Sequence, residues 1–287
     1  MKFDIKSTSY NECDIIDVTY CIPSFNHDKY IIDLLDSIRD DISSSSKKYE
    51  ILILDDGSTD NTFLLLNDYI KQSDVSIRGL FFDNVGLAKN LNRMKKFSNG
   101  KWIRLCASDD LIVVGKTEIM LNSAKENTLA VISDGYVINK MGDIISESSI
   151  SYHKGNKINL IEKNKKYKEM ICNFSLSGPC ALIRSNVYDF FNYNPDSLIE
   201  DYDFFITLLL KSNDSLLFLD ERVYYYRIHD DNTSKTGDTK KRIRNQKSML
   251  KLINDFIKLD KHRMLFFRMK IIVMLKIVYL SFINWKE

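Results

Sequence analysis

Short apolar segments alternate with amphipathic segments along the first third of the chain. The apolar segments have the length of buried strands, and the segments between them carry apolar residues at helical spacing. The predicted strands are 18–22, 51–54, 77–82 and 102–106, and the predicted helices are about 29–41, a segment beginning near Thr59 or Asp60, and 87–97. This alternation predicts an α/β fold with a mostly parallel sheet flanked by helices.

The pattern after residue 110 is less regular. A strand is predicted at 181–183, a helix at about 201–211 and an edge strand at 223–227. The segment 146–168 is polar and rich in lysine, which predicts a mobile loop over the site. Basic and apolar residues are interleaved from residue 240 onward, and they predict two basic helices.

These patterns divide the chain into two parts. The α/β domain is assigned to residues 1–237, with a first half at 18–110 and a second half at 111–237. A C-terminal basic helical extension is assigned to residues 238–287. The full length of 287 residues fits one large domain with a short appendage.

Composition narrows the cellular setting. The five cysteines show no metal-ligand spacing, and Cys21 and Cys106 lie within apolar runs, which indicates buried thiols in a reducing compartment. The N-terminus is polar and acidic, unlike a secretion signal, and no apolar run reaches the roughly 18–20 residues needed to span a bilayer. We therefore expect the catalytic part in the cytoplasm.

Polar residues recur where the predicted strands end. Pro23-Ser24-Phe25-Asn26 follows the first strand, Asp55-Asp56 the second, and Ser108-Asp109-Asp110 the fourth. The carboxyl ends of strands line the ligand crevice of an open α/β sheet. No glycine-rich phosphate-binding motif is present, and Mg²⁺ and Mn²⁺ prefer carboxylate oxygens. The clusters therefore predict a divalent cation, Mn²⁺ or Mg²⁺, that bridges a diphosphate.

The order of these motifs resembles that of family 2 glycosyltransferases, which have the GT-A (Rossmann-like) fold. The DDGSTD run after a strand is the most specific motif. The resemblance extends over residues 18–234. It is carried by Pro23–Asn26, Ile53–Asp60, Asn84–Asn90, Trp102–Asp110, Gly178–Ala181, Glu200–Asp203 and Tyr226–His229.

The resemblance implies that the first half of the domain binds the nucleotide of a nucleotide-diphosphate sugar. Asp56 is expected to hydrogen-bond the base, Pro23 and Phe25 to line the base pocket, and Asp109 to contact the ribose or the metal. The full nucleotide-binding set is Pro23, Phe25, Asn26, Asp56, Asn84, Lys89, Ser108 and Asp109.

The resemblance also implies the positions of the metal and the sugar. Asp110 is expected to be the main metal ligand, with Asp109 and His229, because Ser108 stands where the first carboxylate of the usual aspartate-any-aspartate motif is found. Gly178 and Asp134 are expected beside the donor sugar.

The resemblance further implies the chemistry. Asp201 is expected to be the general base that deprotonates an acceptor hydroxyl, with Glu200 beside it at the start of a helix. Attack from the side opposite the leaving diphosphate predicts inversion at the anomeric carbon without a covalent intermediate.

The extension is strongly basic. Residues 240–287 contain thirteen Lys or Arg and three Asp or Glu. Interleaved basic and apolar residues are typical of a helix on an anionic membrane, but they also fit a helix that packs on the body or against a second copy in a homodimer. No base-reading module accompanies the basic charge, so nucleic acid is not an expected partner.

Membrane contact would suit a lipid-diphosphate-linked saccharide acceptor, as in O-antigen or capsule synthesis. We therefore expect a peripheral position on the inner face of the plasma membrane, and a UDP-hexose or UDP-N-acetylhexosamine as donor. Two alternatives stay open. A nucleotidyltransferase would need a glycine-rich, arginine-bearing loop after the first strand, which is absent. A non-catalytic sugar-nucleotide-binding relative is favoured by Ser108 and opposed by the aspartates.

Overall fold

The computed structural model describes residues 1–10, 15–195, 197–212, 214–230, 232, 238–259 and 262–286. The strands are β1 (Phe3–Lys6), β2 (Ile16–Ser24), β3 (Tyr49–Asp55), β4 (Ile77–Phe81), β5 (Gly100–Leu105), β6 (Leu111–Ile112), β7 (Ala130–Ile138), β8 (Ile144–Ser146), β9 (Ala181–Arg184) and β10 (Leu216–Arg227).

The helices flank this set of strands. They are α1 (Ile31–Ser43), α2 (Thr62–Gln72), α3 (Leu87–Leu91), α4 (Met94–Phe97), α5 (Lys116–Ser123), α6 (Ser149–Tyr152), α7 (Lys157–Ile161), α8 (Lys163–Cys172), α9 (Glu200–Lys211), α10 (Thr239–Leu259) and α11 (Arg263–Lys286).

The strands form one mixed sheet, in the order β1-β4-β3-β2-β5-β9-β7-β10-β6, with β8 beside β7. Strands β4, β3, β2 and β5 are parallel, and α1, α2 and the α3–α4 segment connect them. Every residue of β3 is buried, as expected for a central parallel strand covered on both faces. The predicted mostly parallel α/β fold is therefore confirmed, and the two assigned halves share one sheet. The assigned boundary at residue 237 lies outside the described residues.

The second half of the sheet departs from the predicted pattern. Strand β7 is absent from the prediction because three buried non-apolar residues, Ser133, Asp134 and Gly135, interrupt its apolar run. The predicted edge strand at 223–227 is the end of β10. It pairs in parallel with β7 on one side, while Tyr224 and Tyr225 pair with β6 on the other.

The prediction of a mobile loop at 146–168 is wrong. Helices α6, α7 and α8 occupy this region, and polar residues stabilise them. The buried Lys166 ammonium donates to the Leu216 carbonyl at 2.8 Å. The Glu169 carboxylate accepts from the Asn156 backbone N–H at 2.7 Å and from the Asn159 side chain at 2.8 Å. The polar side chains that indicated a loop therefore form hydrogen bonds that hold these helices to one another and to β10.

The extension forms two helices, as predicted. Helices α10 and α11 pack against each other through Phe256 and Phe266, whose ring centroids are 5.4 Å apart, and Tyr167 of α8 stacks on His262 at 3.9 Å. One side of the extension thus lies on the body. Among the described residues, none of the helices combines the length and the apolarity that crossing a membrane requires.

Candidate functional site

A large cleft opens at the carboxyl ends of the parallel strands, where the sequence placed the ligand crevice. Its volume is about 1030 Å³. Most of the predicted site residues line it, and they are Pro23, Phe25, Asn26, Asp56, Asn84, Ser108, Asp109, Asp110, Gly178 and Asp201. The structure thus brings together side chains from sequence positions as far apart as Pro23 and Asp201.

The turn after β3 shapes one end of the cleft. Asp55 accepts hydrogen bonds from the backbone N–H groups of Gly57 (3.1 Å) and Ser58 (2.9 Å). Gly57 has φ +78°, and a Cβ there would lie 2.9 Å from the Asn84 backbone nitrogen. Only glycine fits this backbone without a shift, so the turn and the loop that carries Asn84 lie in direct contact.

Asp56 fixes the same loop. Its carboxylate accepts from the backbone N–H groups of Val85 (3.1 Å) and Gly86 (2.8 Å), and the Arg93 guanidinium lies 3.4 Å away. Asn26, at φ 56°, accepts at its side-chain oxygen from the Thr59 N–H at 2.7 Å. Two polar side chains therefore hold this end of the cleft in a fixed shape.

Phe25 lies on the wall of the same end with 44% of its surface exposed. An exposed aromatic ring at the end of the cleft that Asp56 and Asn26 shape is suited to stacking on a planar heterocycle.

A histidine–aspartate cluster lies beside Ser108. One donor atom from each of His27, Asp109 and His229 falls within 4.8 Å of the others. Asp109 Oδ2 is 2.9 Å from His229 Nε2, and His27 Nδ1 is 2.6 Å from the Ser108 hydroxyl oxygen. Two imidazoles and a carboxylate at this spacing are a donor set that fits a divalent metal ion. The sequence had assigned Asp109 and His229 to the metal but not His27.

The cluster does not include Asp110, the predicted main metal ligand, although Asp110 lines the same cleft. It is only 2% exposed, and its Oδ1 accepts the Arg227 backbone N–H at 2.8 Å. Its Oδ2 has no hydrogen-bond partner among the described residues. Burial and the neighbouring Asp109 raise the pKa of Asp110 well above its usual range. The hydrogen bond from the Arg227 N–H to Asp110 joins the end of β10 to the loop after β5.

Asp201 also lines the cleft, from the first turn of α9. Burial and the neighbouring Glu200 raise its pKa to about 7, although the Gly178 backbone N–H opposes the shift. A Cβ on Gly178 would lie 3.4 Å from Asp201 Oδ1 and 2.7 Å from Leu105 Cδ2. The structure therefore places a carboxylate with a near-neutral pKa in a narrow part of the cleft.

Arg104 holds this part of the cleft in place, and no sequence pattern predicts this role. The guanidinium is fully buried and donates to the carbonyls of Pro179 (2.6 Å), Ala181 (3.0 Å) and Val223 (3.1 Å). It thus ties the turn at Gly178 to β9 and β10.

Four predicted residues do not line the cleft. Lys89 is exposed on α3, and Glu200 is half-buried beside Asp201. His229 is buried behind Asp109. Asp134 is buried within β7, where its Oδ1 accepts from the Ser149 hydroxyl and the Ile150 N–H, both at 3.1 Å. Asp134 therefore supports the start of α6, and its assignment to the donor sugar is not supported by its position.

His153 and Tyr226 line the cleft although neither was assigned to it. Their rings are 5.3 Å apart, and burial lowers the pKa of His153. His153 follows α6, in the segment 146–168. This segment therefore lies beside the cleft as predicted, but it is helical rather than a loop.

Comparison with known sequences identifies relatives. The family model described as Glycosyl transferase family 2 matches residues 19–191. An uncharacterized glycosyltransferase of Rickettsia felis is 34% identical over 140 residues, which are 48% of this chain and 22% of that protein. This chain therefore spans about a fifth of the length of that relative. A protein of Escherichia coli named UDP-Glc:alpha-D-GlcNAc-diphosphoundecaprenol beta-1,3-glucosyltransferase WfgD is 26% identical over 142 residues, 48% of this chain and 54% of that protein.

Solved structures share the fold. TarS of Staphylococcus aureus in complex with UDP-GlcNAc superposes with a TM-score of 0.60 at 17% identity, covering 93% of this chain and 73% of that one. The mannosyltransferase PcManGT of Pyrobaculum calidifontis in complex with GDP-Man and Mn²⁺ gives 0.60 at 16% identity, covering 93% and 70%. Both likenesses are of fold, and they confirm the GT-A prediction.

Proposed function

The chain belongs to glycosyl transferase family 2, and from that premise we propose that it is an inverting glycosyltransferase. It transfers a hexose or N-acetylhexosamine from a UDP-sugar to a hydroxyl of a lipid-diphosphate-linked saccharide. The observation that carries the proposal is that Asp201 lines the same cleft as His27 and Asp109, two members of the His27–Asp109–His229 cluster. In the proposed complex the donor sugar occupies this cleft, whose volume is about 1030 Å³, with Asp201 as the base and the cluster beside the leaving diphosphate.

Asp201 acts as the base. An acceptor hydroxyl is a poor nucleophile until its proton is removed as the new bond forms. The raised pKa of about 7 makes the Asp201 carboxylate a stronger base than an exposed aspartate, while it is still largely ionised slightly above neutral pH. The acceptor oxygen bonds to the anomeric carbon, the bond from that carbon to the diphosphate breaks, and the proton passes to Asp201. One displacement of this kind inverts the configuration.

The nucleotide occupies the other end of the cleft. Phe25 stacks on the base, and the turn at Asp56 and Gly57 limits the pocket. The loop after β4 contributes Asn84, which the Asp56 carboxylate holds in place through Val85 and Gly86. Asp56 thus positions the loop, and contact with the base is its second role.

His27, Asp109 and His229 fit a divalent cation by their donor types and spacing. A cation held there would neutralise charge that builds on the leaving diphosphate. The PcManGT complex, which contains Mn²⁺, and the TarS complex, which contains UDP-GlcNAc, support a metal and a nucleotide-sugar donor for this chain.

The acceptor proposal rests on the extension and on the Escherichia coli relative, whose name specifies a diphosphoundecaprenol-linked acceptor. Helix α11 has two opposite apolar faces. The inner face, which packs against α10 and α8, consists of Phe266, Met269, Val273 and Leu280, all buried. The outer face consists of Met264, Phe267, Ile271, Met274, Leu275, Val278 and Phe282, all exposed.

An anionic lipid surface is the occupant that fits this outer face. The residues Ile271, Leu275, Val278 and Phe282 follow helical spacing and are 53–67% exposed. Helix α11 contains five Lys or Arg and no Asp or Glu. A second copy on this face would bring two sets of these cations together, whereas anionic lipid headgroups attract them. The peripheral membrane position would bring the cleft to its acceptor.

Vesicle flotation tests the membrane proposal. Wild-type protein is mixed with vesicles of phosphatidylcholine alone or with phosphatidylglycerol. The double variant Leu275→Gln/Val278→Gln is compared with Leu64→Gln, which changes an exposed leucine on α2. We expect wild type and Leu64→Gln to float with the phosphatidylglycerol vesicles, and the double variant to stay in the soluble fraction. Equal flotation of the double variant, or a wild-type dimer that the double variant dissociates, would contradict the proposal.

A panel of sugar nucleotides with Mn²⁺ tests the activity. Thermal shift reports binding, and release of UDP or GDP reports turnover. We expect one or two UDP-sugars to raise the melting temperature and to be turned over slowly with water or faster with a lipid-linked acceptor. If a sugar nucleotide binds but is not turned over with any acceptor, the protein is a non-catalytic sugar-nucleotide-binding relative. If no sugar nucleotide binds, the proposal is contradicted.

A further inference from the structure

We propose that His27 is a metal ligand and that the site it completes selects Mn²⁺-like ions over Mg²⁺. This inference rests on the proposed function for its biological meaning, but it concerns metal binding and is tested by metal binding. The sequence predicts either Mn²⁺ or Mg²⁺, and this inference selects Mn²⁺.

The topology brings three distant residues to one point. His27 follows β2, Asp109 follows β5 and His229 follows β10, so each lies just after the carboxyl end of a different strand. The rings of His27 and His229 are 6.0 Å apart and nearly perpendicular, and the donor atoms of all three residues lie within 4.8 Å. Three strand ends thus converge on a space that one ion can fill.

Ser108 explains why a histidine is needed. The hydroxyl of Ser108 is a neutral side chain beside Asp109, and it lies 2.6 Å from His27 Nδ1. It therefore orients the imidazole through one ring nitrogen, as outer-shell partners orient histidine ligands. The carboxylate that the sequence pattern lacks at position 108 is replaced by an imidazole from another strand end.

His229 is held in a similar way. It is 7% exposed, and its ring lies 5.0 Å from that of Tyr30. The Asn232 side chain accepts from the His229 backbone N–H at 2.5 Å and lies 3.4 Å from Asp109 Oδ2. The two histidines and the carboxylate are therefore fixed by packing and by hydrogen bonds before any ion binds.

The donor set determines the preference. Mg²⁺ demands oxygen ligands in near-ideal octahedral geometry and keeps much of its water, whereas Mn²⁺, although it also favours carboxylates, is a transition-metal ion that accepts imidazole nitrogen as well. Only one of the three side chains is a carboxylate, so the site offers few oxygen ligands to a hard ion such as Mg²⁺. We expect Mn²⁺ to bind at least tenfold more tightly than Mg²⁺.

Electron paramagnetic resonance of Mn²⁺ tests the inference on the full chain, with and without UDP. The free-ion signal measures affinity, and electron spin-echo modulation from ¹⁴N counts imidazole ligands. His27→Ala is compared with His262→Ala, which removes a histidine that stacks on Tyr167 in the extension. His27→Asp supplies an oxygen ligand at the same position. Circular dichroism confirms that each variant is folded.

We expect ¹⁴N modulation in wild type and in His262→Ala, a weaker modulation in His27→Ala, and a loss of Mn²⁺ affinity of at least tenfold in that variant. His27→Asp is expected to bind Mg²⁺ more tightly than wild type. Unchanged Mn²⁺ affinity and unchanged modulation in His27→Ala would overturn the inference, as would wild-type Mg²⁺ affinity equal to that for Mn²⁺.

The result is separate from the proposed function. If no sugar nucleotide is turned over but Mn²⁺ binding depends on His27, the metal site stands and the activity fails. If sugar is transferred while His27→Ala binds Mn²⁺ as wild type does, the activity stands and the role of His27 fails.

Discussion

The backbone N–H of Arg227 donates a 2.8 Å hydrogen bond to Asp110 Oδ1, although 117 residues separate them in the chain. The Arg227 side chain also donates to the Asp109 carbonyl at 2.9 Å. Two neighbouring aspartates therefore have different roles. Asp110 fastens the end of β10 to the loop after β5, and the Asp109 carboxylate stays with the histidines.

These roles predict opposite effects of two alanine substitutions. Asp110→Ala leaves the buried Arg227 N–H without an acceptor, which costs about 1–3 kcal/mol and lowers the melting temperature by several degrees. Asp109→Ala is expected to weaken Mn²⁺ binding at least tenfold with a smaller loss of stability. Thermal unfolding and Mn²⁺ titration of both variants check this. The reverse pattern would identify Asp110 as the main metal ligand.

Arg104 is predicted to be essential for the fold of the site. Arg104→Leu leaves three buried carbonyls, those of Pro179, Ala181 and Val223, without a donor. We expect a loss of about 3 kcal/mol in the free energy of unfolding, measured in urea. Arg39→Leu, which removes an exposed arginine on α1, is the matched control and is expected to change stability by less than about 0.5 kcal/mol. Equal effects of the two would show that the buried contacts add no stability.

Alanine substitutions at Gly57 and Gly86 distinguish the effect of backbone strain from the effect of a steric clash. Both have positive φ, +78° and +88°, so alanine is strained at either position. A Cβ on Gly57 would lie 2.9 Å from the Asn84 nitrogen, whereas one on Gly86 meets nothing within 4 Å. We expect Gly57→Ala to weaken UDP binding at least tenfold, and Gly86→Ala to weaken it less, as measured by calorimetry. Equal affinities would mean that the contact between the turn and the loop does not shape the nucleotide pocket.

The pKa of Asp201 predicts the pH dependence of turnover. Its carboxylate must be ionised to accept a proton, and its pKa is raised to about 7. The value of kcat/KM is therefore expected to rise about tenfold per pH unit below pH 7 and to level off above it, since this parameter reports the free enzyme. Asp203→Asn, two residues further along α9 and hydrogen-bonded at Asp203 to Thr207, is expected to leave the profile unchanged. A profile that is flat between pH 5 and about 8 would exclude Asp201 as the titrating base.

Local patterns predicted the first half of the fold well. The alternation of apolar strands and amphipathic helices requires a covered parallel sheet, and polar residues at strand ends must then meet at one edge. Pro23, Asp56 and Asp109 were placed in the cleft on that basis. The helix predicted over 87–97 is broken into α3 and α4 near Asn92, whose side chain donates to the Tyr193 carbonyl at 2.8 Å. A contact over such a distance in sequence leaves no local signal.

The residues that the sequence did not reveal depend on contacts between distant segments. His27 resembles any polar loop residue until the fold brings His229 beside it. Arg104 looks like a surface arginine within a strand until three carbonyls surround it. The structural contact of Asp134 was missed for the same reason, because the start of α6 that it supports lies 15 residues further along the chain. Hydrophobic periodicity locates elements, but it does not record which buried polar groups satisfy one another.

The comparison of wild type with Asp201→Asn tests the central claim most directly. Donor binding is measured by calorimetry and sugar transfer by product release, with the UDP-sugar that the panel identifies. The account predicts equal donor affinity and a transfer rate at least about 10²-fold lower in the variant, because the amide cannot accept the proton. Transfer by Asp201→Asn at the wild-type rate would contradict it.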